Sequence, residues 1–192
     1  MESVQPIRER EDIEVMKQYL RGTNLRDYCL FILGLNSGLR ISDLLHLTIK
    51  DVVDETGAIK DRVSLKEQKT GKSKHFPLSR KTKDAISEYL SYRSGRSGWN
   101  LDDPLFKSRK GNGAITRQQA WRALNAAARY AGIMERIGTH TLRKTFGYQA
   151  YKSGVDITRI QKLLNHSTPF VTLAYIGITQ DELDKVYLEL NL

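Results

Sequence analysis

The chain has one cysteine, four prolines and no apolar run near the roughly 18 to 20 residues that a bilayer-spanning helix takes. A lone thiol excludes a disulfide within the chain. Cys29 sits in the apolar stretch 28–35, where a buried, inert role is expected, and a reducing cytoplasm fits this cysteine usage. No Cys/His pattern has metal-ligand spacing, and no carboxylate cluster stands out. Residues 1–10 carry charges and a proline in place of an apolar secretory core. With so few prolines, long helical patterns run uninterrupted.

Acidic residues are also in short supply, 22 against 31 Lys and Arg, for a formal charge of +9. Such an excess implies a polyanionic partner, because neutralising phosphates releases counterions condensed on nucleic acid. The excess is concentrated: Lys60, Arg62, Lys66, Lys69, Lys72, Lys74, Arg80, Lys81 and Lys83 fall in one stretch, while Asp181, Glu182, Asp184 and Glu189 make the tail acidic. A basic face with a differently charged tail is implied. At 192 residues and 40% hydrophobic content, one large domain is the simplest organisation.

The apolar spacing is mainly helical. Ile13, Met16, Tyr19 and Leu20 share a helical face in 9–20, and 28–35 suits a buried helix. Asn36-Ser37-Gly38 breaks that helix, so Arg40 belongs in a tight connection ahead of a new helix through Leu44, Leu45 and Leu47. Between 52 and 78 the period changes to two: Val63 and Leu65 alternate with polar residues, Lys69-Thr70-Gly71-Lys72 supplies turn chemistry, and Phe76-Pro77-Leu78 ends a second extended segment. A small antiparallel hairpin is predicted, with Lys69 projecting from its turn. Gly71-Lys72-Ser73 matches the end of a nucleotide-binding loop, but Lys66 replaces the required earlier glycine and the setting is a hairpin, which excludes that reading.

Helical spacing returns in 79–92 and 115–131, where Trp121, Leu124, Ala128 and Ala131 form an expected core stripe. The segment between, 94–113, is a surface connection anchored by Trp99 and Phe106. Thr139 is a predicted N-cap that sets His140 and Arg143 three residues apart in a first helical turn, where free N–H groups favour an anion. A short helix over 156–164 precedes His166, with Asn165 suited to a left-handed turn, and a further helix carries Tyr175. His46 and His75 are read as structural or surface residues. Taken singly, each of these residues has an ordinary structural explanation, from a solvated turn lysine to a buried tyrosine.

Together they form a set. Gly-Leu-Arg-Ile-Ser-Asp (38–43), Lys-Thr-Gly-Lys (69–72), Thr-His-Thr-Leu-Arg (139–143), Leu-Leu-Asn-His-Ser (163–167) and Tyr175, nine positions after His166, resemble in order and spacing the catalytic domain of tyrosine recombinases, the family of phage lambda integrase and the bacterial Xer proteins. The resemblance spans most of 9–177. It implies a mainly α fold with a small antiparallel sheet, and a DNA recombinase or integrase that cleaves and rejoins strands through a 3′-phosphotyrosyl intermediate.

Phosphodiesters resist weak nucleophiles, and a tyrosine with a pKa of about 10 needs a proton acceptor or a cationic setting before it attacks. Arg40 and Arg143 are suited to clamp the non-bridging oxygens as charge develops. His166 would donate a further hydrogen bond, and His140 would help accept the tyrosine proton. The resemblance assigns Lys69 as general acid to the departing 5′ oxygen and Asp43 as a supporting carboxylate. Lys66, Lys72 and Lys74 are expected DNA contacts. A 5′-hydroxyl can reverse the step, so the scheme calls on neither ATP nor metal.

The expected partners are double-stranded DNA and further copies of the chain, as a tetramer in a synaptic complex. The family more often has glycine where this chain has Asn165. Residues 1–178 are read as the catalytic domain, and 179–192 as a C-terminal helix whose Leu183, Val186, Tyr187 and Leu190 form an apolar stripe for a neighbouring subunit. Related integrases carry an N-terminal core-binding domain, for which the residues before Ile13 have no room, so either a fragment or a minimal protein is expected. Two alternatives stay open: a type IB topoisomerase with the same tyrosine chemistry, and a non-catalytic DNA-binding regulator on the same fold.

Overall fold

The computed structural model describes residues 4–178 and 180–190, without the side chains of Gln180, Asp181 and Leu183. The elements in order are α1 (Arg10–Thr23), α2 (Leu25–Ser37), α3 (Ile41–His46), α4 (Ile49–Val52), β1 (Arg62–Lys66), β2 (Ser73–Pro77), α5 (Arg80–Ser94), α6 (Arg117–Tyr130), α7 (Thr141–Lys152), α8 (Ile157–Leu163), α9 (Pro169–Ile176) and α10 (Gln180–Leu190). The mainly helical fold with one antiparallel hairpin is the architecture expected from the sequence. No helix among the described residues is long and apolar enough to cross a membrane.

Helix α2 organises the molecule. Its N-cap Asn24 accepts from the Arg26 amide, and Cys29 to Leu33 are buried all round, as a central helix requires. Helices α1, α5 and α7 pack around it, burying Ile13, Met16 and Leu20 from α1, Ala85, Ile86 and Tyr89 from α5, and Leu142 from α7. Burial pushes the Cys29 thiol well above its ordinary range, which keeps it protonated and inert.

Helix α2 ends at Gly38, whose φ of 59° is left-handed, and a Cβ there would lie 2.6 Å from the Phe146 ring of α7. Only glycine meets both demands. The chain therefore turns sharply against α7 and delivers Arg40 as the N-cap of α3. Gly147 does a related service on α7: a Cβ there would sit 2.6 Å from Ile176, so α7 and α9 approach closely. Around that contact Tyr148, Ile160, Leu164 and Ile176 form a second small core, which fixes α8 and α9 onto α7.

Two sequence expectations need correction. Trp121 is exposed on α6, its indole N–H donating to the Ile137 carbonyl at 3.1 Å, while Leu124 and Ala128 are core as expected. The indole has a polar edge, and the nearby loop offers an acceptor at the surface. The N-cap of α7 is His140, one residue later than Thr139. Thr141 explains the shift: its hydroxyl accepts from Gly138 N and donates to Gln5 O, holding the turn before the helix.

Candidate active site

The site forms where three chain reversals meet: the α2–α3 turn, the β1–β2 hairpin and the α8–α9 turn, all braced by α7. Arg143 is the hub. It is 2% exposed and donates from one amino group to Gly38 O at 2.6 Å and from the other to Leu164 O. Those carbonyls cap α2 and α8, whose helix ends carry partial negative charge. One guanidinium thus ties the turn that presents Arg40 to the turn that presents His166.

The hairpin pairs Leu65 with Lys74 and Val63 with Phe76. Period-two alternation puts these four on the inner face, and that overturns one expectation. Lys74 is not a groove-facing DNA contact: it is 9% exposed, and its ammonium points inward to Leu163 O at 3.2 Å and Gly38 O at 3.5 Å. Burial first, then Arg143, lower its pKa to about 8. Lys66 and Lys72, by contrast, are exposed. Lys69 is exposed at the turn and shares with Arg40, His46, Arg117 and His140 the wall of a cleft of about 440 Å³.

Glu67 was missed by the sequence reading. It is 1% exposed, its Oε1 lies 2.9 Å from an Arg40 amino nitrogen and 3.9 Å from Arg143, and its Oε2 accepts from Thr70 Oγ1 at 2.7 Å. Burial raises its pKa, but Thr70, Arg40 and Asn165 outweigh that and hold it below the usual value. The Arg40 contact is a close, buried ion pair. Asp43, the expected supporting carboxylate, is buried one helical turn after Arg40 and accepts from the Gln68 amide at 2.8 Å.

Tyr175 lies on α9, which starts at the N-cap Thr168 with Pro169 behind it and ends at left-handed Gly177. Its ring stands edge-on to His166 at 4.8 Å and to His140 at 6.5 Å, with the Lys144 ammonium 5.2 Å from the ring centre. The hydroxyl is 3.4 Å from His140 Nδ1. Burial raises the Tyr175 pKa, opposed by Arg143 and Arg40. Partial desolvation, then Arg143 and other cations, push His140 below 6.5, so it is neutral at pH 7 and able to accept a proton.

His166 follows Asn165, which takes the left-handed conformation anticipated for it, φ 50°. The Thr172 hydroxyl donates to Thr168 O at 3.1 Å, so its 3.2 Å contact with His166 Nδ1 has the ring as donor. Nε2 is then the free nitrogen, and it donates to a phosphate only when the ring is protonated. Burial, then Arg143 and Arg40, lower this pKa to about 4. The unfolded ring binds its proton near 6.5 and the folded ring near 4, so the unfolded state is the more protonated between those values. Stability should fall as pH drops from 6.5 toward 4, by on the order of 1 kcal/mol from this residue at pH 5 after solvent screening. Thermal melts against pH should show a shallower decline for His166→Gln; an unchanged slope would assign the acid sensitivity elsewhere.

All six residues anticipated for catalysis converge here. The sequence matches the phage integrase family over residues 8–182. The chain belongs to the phage integrase family. It is 45% identical over 187 residues to the probable integrase/recombinase YoeC of Bacillus subtilis, covering 97% of each chain. In fold it is similar to XerA recombinase (TM-score 0.77, 22% identity, 98% of this chain and 65% of that one). It also resembles lambda integrase, solved as a tetramer bound to a Holliday junction (TM-score 0.66, 17% identity, 94% of this chain and 51% of that one). The chain thus spans about two thirds of the XerA chain and half of the lambda integrase chain. It is a tyrosine recombinase with the catalytic-domain fold of its family.

Proposed function

We propose that this tyrosine recombinase cleaves one DNA strand by attack of Tyr175 Oη on phosphorus, forming a 3′-phosphotyrosyl bond as the P–O5′ bond breaks. The observation that carries this is the placement of the Tyr175 hydroxyl 3.4 Å from a neutral His140, in the field of Arg40 and Arg143. His140 takes the tyrosine proton. Arg40 and Arg143 hold the non-bridging oxygens, whose negative charge grows in the pentavalent transition state. His166 is protonated as the phosphate arrives and donates from Nε2. Lys69 gives its proton to the departing 5′ oxygen. Attack by a 5′-hydroxyl on the phosphotyrosine then restores the tyrosine and joins the strand, with no energy source consumed. Strand exchange between duplexes, unlike single-strand relaxation, fits the chain's likeness to an integrase/recombinase along almost its whole length.

A substrate of random sequence lets the protein select its own target. The protein is incubated with a pool of nicked random duplexes in EDTA, and covalent adducts are recovered and sequenced. An adduct on the peptide containing Tyr175, enriched for one DNA sequence, is expected; no adduct under any condition would favour a non-catalytic DNA-binding role.

Double-stranded DNA and other copies of the chain are the proposed partners, acting in the cytoplasm. The C-terminal helix supports self-association. Glu182 anchors α10 to Arg8 and to Tyr148, both at 3.2 Å, yet Val186, Tyr187, Leu188 and Leu190 stay exposed. Of the apolar stripe anticipated there, the Leu183 side chain lies outside the described residues, as do residues 179 and 191–192. Deleting 179–192 should abolish cooperative assembly on a two-site DNA while leaving single-site binding within about threefold, as read by gel shift. Unchanged cooperativity would mean that the helix serves its own domain.

A further inference from the structure

Glu67 lies where the arginine clamp and the lysine hairpin share a side chain. Resting on the function proposed above, we propose that Glu67 is a positioning residue that couples the Arg40–Arg143 clamp to the turn carrying Lys69, so that phosphate binding and leaving-group protonation are set together.

The carboxylate faces two ways. Oε1 is buried against the arginines, 2.9 Å from Arg40 and 3.9 Å from Arg143. The Arg40 amino nitrogen that meets it is itself fully buried, so Glu67 backs the guanidinium from the protein side and leaves its other edge to the cleft. Oε2 takes the Thr70 hydroxyl at 2.7 Å. The backbone of the same residue closes the turn: Glu67 N donates to Lys72 O at 2.9 Å, and Gly71 N donates to Glu67 O at 2.8 Å. Lys69 sits inside that loop, two residues from Glu67. Asp43 makes the reciprocal tie, from the helix that follows Arg40 to the Gln68 amide.

Charge makes the arrangement selective for a phosphodiester. Arg40, Arg143 and Lys74 crowd one small volume and would repel one another if unbalanced. Against them stand two buried carboxylates, Glu67 and Asp43. One net positive charge remains, the complement of a phosphodiester's single negative charge. The second negative charge that develops in the transition state then falls to the groups brought up to the cleft, Lys69 and the histidines. When a phosphate draws Arg40 toward the cleft, Glu67 is free to follow or to hold, and through Thr70 the hairpin senses which.

The test uses the duplex selected above in two forms, one natural and one with the bridging 5′ oxygen at the scissile phosphate replaced by sulfur. A thiolate leaves without a proton, so the sulfur form bypasses Lys69. Thr70→Val severs the hairpin arm, removing the Glu67 tie together with the acceptor that Thr70 Oγ1 offers to Lys72 N at 3.3 Å, and leaves the arginine arm intact. It should slow adduct formation about tenfold on the natural duplex and run at the wild-type rate on the sulfur form. Glu67→Gln severs the charge on both arms. It should lose about a hundredfold on the natural duplex and recover only in part on the sulfur form, with DNA affinity within about threefold of wild type. If Glu67→Gln does not fold, Thr70→Val, at an exposed position, still decides the hairpin arm.

Wild-type rates for the variants on natural DNA would overturn the coupling, as would equal losses on both duplexes, which would confine Glu67 to the clamp. A wild-type protein that makes no adduct on either duplex would instead overturn the proposed function, and this inference with it.

Discussion

Tyr175→Phe should form no covalent adduct on a duplex that wild type cleaves, a loss limited only by the detection floor, while folding and DNA binding persist. The ring would be kept, and the ring makes most of the contacts: edge-on to His166 and His140, and beneath the Lys144 ammonium. The hydroxyl adds a long contact, 3.4 Å to His140 Nδ1, and an interaction with the Arg143 guanidinium, so its removal should change stability by about 1 kcal/mol. DNA affinity should stay within about twofold, because the proposed phosphate contacts come from the cations. The variant therefore separates chemistry from binding. A wild-type yield of adduct from Tyr175→Phe would transfer the nucleophile to another hydroxyl and end the proposed mechanism.

The placement of the candidate site residues was more legible in the sequence than the scaffold that aims them. Arg40 was placed by Gly38, because a left-handed helix end followed by an apolar period dictates a turn whatever packs around it. His166 was placed in the same way, through Asn165. The hairpin was legible from its period-two alternation, and the same alternation, carried two residues back from Phe76, puts Lys74 on the face of Phe76 and Leu65. Charge alone had argued the other way. Burial of a lysine is decided by acceptors such as Gly38 O and Leu163 O, which approach from 36 and 89 residues away in the chain. Glu67 had no local signal either: a glutamate beside a lysine-rich turn looks solvated until Arg40 and Arg143 arrive behind it. His46, read as a structural or surface residue, is exposed, on the wall of the cleft, its Nδ1 held to Ser42 O at 2.7 Å. Long-range pairing escapes periodicity, and it is what makes this site.

Arg143→Lys keeps the charge, so it measures what the guanidinium's shape contributes. Arginine offers five N–H donors in a plane, and here two are spent on Gly38 O and Leu164 O, so the phosphate contact proposed above draws on the rest. Lysine offers three donors from one atom and cannot span two carbonyls and a phosphate at once. One of two helix ends would lose its brace, and Arg40 or His166 would drift with it. Loss of one transition-state donor costs about 10²–10³-fold, and the positional loss adds to that, so adduct formation at saturating DNA should fall by at least about 10³-fold. The fold should weaken as well, by about 1–3 kcal/mol, since a buried carbonyl goes unpaired. A thermal melt beside the rate separates the two effects. A variant that folds, saturates with DNA and still forms adduct within about tenfold of wild type would show that Arg143 supplies charge only, and that the tie between the two turns has no part in catalysis.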